Sequence, residues 1–259
     1  MASGWAGKIV RNLFEFRMAS RILLNNFLIA TRLERHAKRI NNRWMRFVYD
    51  PGKSLRENVG FAHNPDDEEA LRKIHDDLRR VAQKYLAPGD HVLDIGCGTG
   101  LYLRDFGREV ALAGLDISPG MIELVRRELP HVECLVGDFM QVKIERLFKL
   151  IYTISTLEFI NRSDLGAFFG RAAGLLQPGG VLFIQYPHAL SFLDTLYPKL
   201  KYIKYSPALV DRMARKHLRI VEHHHAFDGR VVQQYDPVEY PSRRGTFKNG
   251  YLLVAQKDA

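Results

Sequence analysis

Cysteine is nearly missing from this chain. Cys97 and Cys134 are the only two in 259 residues. That excludes a disulfide-built scaffold and a four-thiolate zinc site, and it fits a reducing compartment. Long apolar runs are missing as well. The longest uncharged stretch near the N-terminal end, between Arg21 and Arg32, has ten residues, far short of the ~20 that cross a bilayer. Compositional bias is also lacking. Apolar residues make up 46% and charged residues 26%, which excludes disordered, collagen-like and coiled-coil classes. No internal repeat or low-complexity tract is present. The length suits one large α/β domain, or a domain of about 200 residues with an extension.

The body lacks net charge. Twelve of the 38 Lys/Arg but only three of the 29 Asp/Glu fall in residues 1–56, so the whole formal excess of +9 lies there. Residues 57–259 hold 26 of each sign. A protein that tracks a polyanion spreads its positive charge over the body that grips it. Here the asymmetry describes a basic arm, residues 1–56, attached to a neutral domain, residues 57–259.

The arm has helical periodicity. Trp5, Ile9, Leu13 and Phe16 recur at steps of four and three, and Lys8 and Arg11 lie away from that face. A second basic helical stretch, about 32–48, carries Ile40, Trp44, Phe47 and Val48. Aromatics on one side and cations on the other suit an interfacial helix on an anionic membrane surface. Packing as a lid on the body, or contact with a nucleic-acid or protein partner, are the other readings. An Arg-rich, acid-poor start also fits a removable mitochondrial segment, but its serine content is low. The expected location is the cytoplasm, peripheral at a membrane if the arm binds lipid.

Strands and helices alternate through the body. Asn64-Pro65 followed by Asp66, Asp67, Glu68 and Glu69 predicts a helix start, running to about Leu86. Expected strands are His91–Ile95, Val110–Leu115, Val132–Val136, Leu150–Ile154, Val181–Gln185, Leu218–His224 and Tyr251–Gln256. Helices are expected through Leu101, Leu103 and Phe106, after Ser118-Pro119, over about 163–176, and after Ser206-Pro207. Pro178-Gly179-Gly180 predicts a turn. The fold class is therefore α/β: a Rossmann-like, doubly wound, mostly parallel seven-stranded sheet with an N-terminal helical extension.

Ligands of such sheets bind beyond the carboxyl ends of the strands. There the sequence reads Asp94-Ile95-Gly96-Cys97-Gly98-Thr99-Gly100, three glycines where a strand becomes a helix. Asp116 ends the next strand 22 residues after Asp94, where a carboxylate can accept from two ribose hydroxyls.

These residues resemble the first motifs of the class I S-adenosylmethionine-dependent methyltransferases. The resemblance continues through Gly114-Leu115-Asp116-Ile117-Ser118-Pro119-Gly120-Met121, Gly137-Asp138-Phe139 and Ser155-Thr156-Leu157-Glu158-Phe159. It ends at Leu176-Gln177-Pro178-Gly179-Gly180-Val181-Leu182, so five motifs lie in register over about 64–186. A nicotinamide or flavin site would read Gly-x-Gly-x-x-Gly, whereas these glycines stand at every second position.

The resemblance implies S-adenosyl-L-methionine as cofactor and assigns roles. Asp94 and the loop, Gly96, Cys97, Gly98 and Gly100, would hold its methionine part. Asp116 would take the ribose hydroxyls, with Ile117 and Met121 beside the adenine. Asp138 would accept from the adenine amino group, with Phe139 against the ring; Asp138 also reads as a turn residue after Gly137. Ser155 to Leu157 would face the sulfonium. In-line displacement from a sulfonium mainly needs alignment, and an oxygen or nitrogen acceptor also needs a base. His188 and Glu158, just past the fifth and fourth strands, are the candidates.

The acceptor is expected to be a small molecule or lipid-like. Residues 187–205 carry Phe192, Leu193, Leu196, Tyr197, Tyr202 and Tyr205, suited to a bulky apolar or ring-bearing group; ordinary packing explains them equally. DNA is disfavoured, because Ile154-Ser155-Thr156-Leu157-Glu158 stands where DNA amino-methylating relatives carry a Pro-Pro-aromatic motif. No Pro-Cys pair serves cytosine-C5 attack. A protein or RNA acceptor reached through the basic arm, and a cofactor-binding but catalytically silent partner protein, are the alternatives. No metal is expected: of His223-His224-His225 only two share a strand face, and a third ligand is not apparent.

Overall fold

A computed structural model describes residues 65–187, 205–226 and 250–259. The basic arm, its boundary at 56/57, His188 and all of the 187–205 aromatics except Tyr205 lie outside the described residues. The described elements are α1 (Pro65–Tyr85), β1 (His91–Ile95), β2 (Ala111–Asp116), α2 (Pro119–Glu128), β3 (Glu133–Val136) and β4 (Phe148–Ile154). They continue with α3 (Leu165–Leu175), β5 (Leu176–Pro187), α4 (Pro207–Ala214), β6 (Arg219–His225) and β7 (Gly250–Gln256).

The strands form one sheet in the order β3-β2-β1-β4-β5-β7-β6. The first five are parallel, and β7 runs antiparallel between β5 and β6. Alternation along each strand sends side chains to two separate cores. On one face Val92, Leu112, Leu150 and Phe183 meet Leu71, Ile74, Leu78 and Val81 of α1 and Ile122 and Val125 of α2. The α1 residues recur at steps of three and four, which places them on one stripe. On the other face Leu93, Leu115, Ile151 and Ile184 meet Phe168 and Phe169 of α3 and Val210 of α4. Each such fully buried side chain contributes roughly 1.5–3 kcal/mol, so covering both faces is what holds the parallel strands together.

Helix starts follow local rules. Ser118 accepts from the Met121 N–H with Pro119 in the first turn, and Ser206 accepts from the Leu209 N–H with Pro207 in the first turn.

Two expectations are corrected. The glycine loop is followed by a single 3₁₀ turn, Leu103–Asp105, and not by an α-helix. Asp105 is held there by Arg79 and His75 of α1, and Phe106 turns extended to stack on Tyr152. The Pro178-Gly179-Gly180 turn is absorbed into β5. Pairing passes from Phe148↔Leu176 to Leu150↔Val181, so two steps on β4 face five on β5. Gly179 takes φ +67° within that bulge.

Candidate functional site

The crossover from β1 leads to β2 on one side, while β4 continues to β5 on the other. The strand order therefore switches direction between β1 and β4, and the crevice lies beyond their carboxyl ends. A surface depression of about 360 Å³, lined by Glu133, Lys143, Arg146 and Phe148, lies instead at the amino ends of β3 and β4.

The glycine loop occupies the crevice from the β1 side. Gly96, Gly98 and Gly100 take φ of +77°, +53° and +74°, a region that side-chain-bearing residues rarely adopt. The Gly96 and Cys97 N–H groups both donate to the Leu115 carbonyl, at 2.7 and 3.0 Å. Gly98 N–H donates to Asp116 Oδ2 at 2.9 Å, and Ser118 N–H to Asp116 Oδ1 at 2.8 Å. One carboxylate thus ties the loop to the start of α2. Burial raises its pKa, opposed by the backbone N–H groups of Ser118, Gly98 and Ile117. A carboxylate has about four acceptor positions, so capacity for hydroxyl donors remains.

The other residues named for the cofactor fall around this carboxylate with one exception. Ile117 is half-buried between Asp116 and α2, and Met121 is buried in the first turn of α2. Asp138 Oδ1 accepts from the Met140 N–H at 2.9 Å, so it does serve as a turn residue, at the end of β3. Phe139 is the exception. It is 4% exposed, set edge-on to Phe168 at 5.3 Å between ring centroids, with the Arg171 guanidinium 5.3 Å from its ring centre. The structure places that ring in the core beneath α3. Cys97 is buried with its Sγ over Gly114. Its thiol pKa is pushed well up by burial and by the charges of Asp94 and Asp116.

The β4 side of the crevice is strained. Ser155 has φ +52°, the one positive-φ non-glycine among the described residues; such a conformation costs about 1–3 kcal/mol and is held by its surroundings. Here Ser155 N–H donates to the Gln185 carbonyl at 3.1 Å and its hydroxyl to Gln185 Oε1 at 3.3 Å. Thr156 packs against the glycine loop: a Cβ on Gly96 would lie 2.2 Å from Thr156 Oγ1. Leu157 is fully buried in the core. Glu158 is 5% exposed, and its Oε2 has no hydrogen-bond partner among the described residues. Burial pushes its carboxyl up to about 8.

Sequence reasoning missed two groups. At the carboxyl end of β5 the Tyr186 hydroxyl donates to His223 Nε2 at 2.8 Å, and His223 Nδ1–H donates to Asp211 Oδ1 at 3.1 Å. The carboxylate fixes that tautomer, since it only accepts. The second group is Asp94, Tyr102 and Tyr152, whose polar atoms are buried near the loop without partners among the described residues. Asp94 carries the signal of its motif, whereas the two tyrosines carry none.

Residues 92–180 match a family described as a methyltransferase domain. The chain is 36% identical over 103 residues to a trans-aconitate 2-methyltransferase of Methylobacterium radiotolerans, covering 38% of each protein. It is 29% identical over 112 residues to the dTDP-3-amino-3,4,6-trideoxy-α-D-glucopyranose N,N-dimethyltransferase of Streptomyces venezuelae, covering 42% of this chain and 47% of that one. The chain thus spans about half, or less, of the length of these curated relatives. Among solved structures, the N-methyltransferase NodS from Bradyrhizobium japonicum in complex with S-adenosyl-L-homocysteine superposes with a TM-score of 0.60 at 17% identity. That superposition covers 84% of this chain and 97% of NodS, and at that identity it carries the fold. With the glycine loop, the Asp116 tie and the strand order all in the arrangement its five motifs imply, the chain belongs to the class I S-adenosylmethionine-dependent methyltransferases.

Proposed function

We propose that the chain transfers the methyl group of S-adenosylmethionine to an oxygen or nitrogen of a small-molecule or lipid-like acceptor. The observation that carries this reading is the Asp116 carboxylate, fixed by two backbone N–H groups at the end of β2 beside a positive-φ glycine loop. The residues present fit the cofactor. A Cβ would fill the space at Gly96, and Asp94 Oδ2 is a buried acceptor with no partner among the described residues. Asp94 and the loop would hold the methionine part, Asp116 the ribose, and Ile117, Met121 and Asp138 the adenine side. When bound, the cofactor supplies a methyl group already activated by a sulfonium.

The chain then has two tasks, alignment and proton removal. Glu158, beside the strained Ser155, is neutral over most of the physiological range because burial raises its pKa to about 8. It therefore donates a hydrogen bond at neutral pH and acts as a base only in alkaline solution. His188 is the other candidate base. The acceptors in the relatives' names, an organic acid and an amino-sugar nucleotide, support a small molecule. The neutral body supports it too, since a polyanion would meet no net charge there.

Isothermal titration with S-adenosylhomocysteine tests the binding half. Losing bonds to a charged acceptor costs on the order of 1.5–3 kcal/mol, so Asp116→Ala should weaken binding roughly ten- to over a hundred-fold. Undiminished affinity in that variant refutes the ribose assignment. Mass-spectrometric detection of methylated products in extracts tests turnover, and binding without any product would point to a silent partner protein.

A further inference from the structure

We propose that Tyr102 and Tyr152, together with Asp94, form the site that takes the primary ammonium of the cofactor's amino-acid end. The proposal deepens the cofactor reading above and rests on it. Asp94 and Tyr152 are register partners across β1 and β4, so their side chains rise from the same face of the sheet. Asp94's register partner on β2 is Gly114, which brings no side chain to that face. Tyr102 directly follows the glycine loop, its ring 4.7 Å from that of His75.

All three residues are at least nine-tenths buried. Asp94 Oδ2 and both phenol oxygens have no hydrogen-bond partner among the described residues. Three unmet polar atoms in one neighbourhood need a common explanation, because buried groups of this kind are nearly always paired. The nearby cations do not provide it, since His75 and Arg79 are both engaged by Asp105.

The chemistry selects the ligand group. A carboxylate oxygen and two phenol oxygens are three acceptors, and a primary ammonium has three N–H donors. A carboxylate would instead face Asp94 as a like charge. Burial holds the Asp94 carboxyl well above the usual range, opposed by the Tyr152 hydroxyl and reinforced by the Asp116 charge. A cation arriving there would reverse that shift.

The test uses calorimetry on the full chain with three ligands. S-adenosylhomocysteine carries the ammonium and the carboxylate. Its decarboxylated analogue carries the ammonium alone. 5′-Methylthioadenosine carries neither. Tyr102→Phe and Tyr152→Phe should each weaken the first two about tenfold and leave the third unchanged, as expected for one lost bond to a charged group. Unchanged 5′-methylthioadenosine binding also certifies the fold. Three results overturn the proposal: unaltered affinity for S-adenosylhomocysteine, an equal loss for all three ligands, or a loss confined to the carboxylate-bearing one. If the wild type binds none of the three, the cofactor reading itself falls.

Discussion

Gly96→Ala should be costly for two separable reasons. Gly96 takes φ +77°, and an L residue in the left-handed region loses about 1–2 kcal/mol. Its Cβ would also fall 2.2, 2.6 and 2.9 Å from Oγ1, Cγ2 and Cβ of Thr156. No rotation of Thr156 relieves all three, because its own Cβ is among them, and overpacking of this kind costs about 1–3 kcal/mol more. A less flexible unfolded chain returns about 0.4–1 kcal/mol. The net is a loss of about 2–4 kcal/mol, or roughly 4–16 °C in Tm for a domain of this size. Gly89 supplies the control: its φ is +88°, and a Cβ there would meet nothing within 4 Å. Gly89→Ala should show only the backbone part. The assay is urea and thermal unfolding of Gly96→Ala, Gly89→Ala, Thr156→Gly and the Gly96→Ala/Thr156→Gly double variant. The double-variant cycle should return about 1–3 kcal/mol of coupling between positions 96 and 156. Equal losses at 89 and 96, or a cycle without coupling, refute the claim that Thr156 limits the loop.

Two pH predictions follow from buried titratable groups. Glu158 has a folded pKa of about 8, raised above its unfolded value by burial. Its contribution to stability is therefore full at about pH 4 and is lost as pH rises to about 8. Glu158→Gln should flatten that decline in urea melts between pH 5 and 9, and parallel curves for the two proteins would contradict the assignment. His223 has a folded pKa lowered by burial, opposed by Asp211. Its contribution is present above the unfolded pKa of about 6.5 and fades as pH falls through the folded value. His223→Gln should be less sensitive to acid below about pH 6.5 than the wild type, and the same pair of melts decides it.

What was legible in the sequence was whatever a few consecutive residues settle among themselves. A glycine run after an apolar strand makes its own turn, and Ser118-Pro119 makes its own cap. Asp116 stands at a strand end whichever face the strand buries. The misreadings all depend on partners distant in the chain. Leu101, Leu103 and Phe106 are spaced for a helix, but His75 and Arg79 of α1 claim Asp105 and stop the chain after one turn. Pro178-Gly179-Gly180 has turn chemistry, yet Gly179 N–H donates to the Lys257 carbonyl and Lys257 N–H returns to Gly180, at 3.1 and 2.9 Å. Those bonds to the segment beyond β7 draw the turn into the sheet. Phe139 follows Asp138 in the motif, but Phe168 and Arg171 of α3 decide where its ring lies.

The same distinction explains why two tyrosines escaped notice while Asp94 did not. Asp94 belongs to a local pattern. Tyr152 becomes relevant only once β1 and β4 pair with Asp94 opposite Tyr152, and a slip of one residue would carry it to the other face. In its actual register it stacks on Phe106 at 5.7 Å and still leaves its hydroxyl without a bond among the described residues. A core that needed only the ring would be served by phenylalanine, without the cost of a buried hydroxyl. The hydroxyl is therefore the part of Tyr152 that packing does not explain, and its place beside Asp94 is the reason to assign it to the ligand.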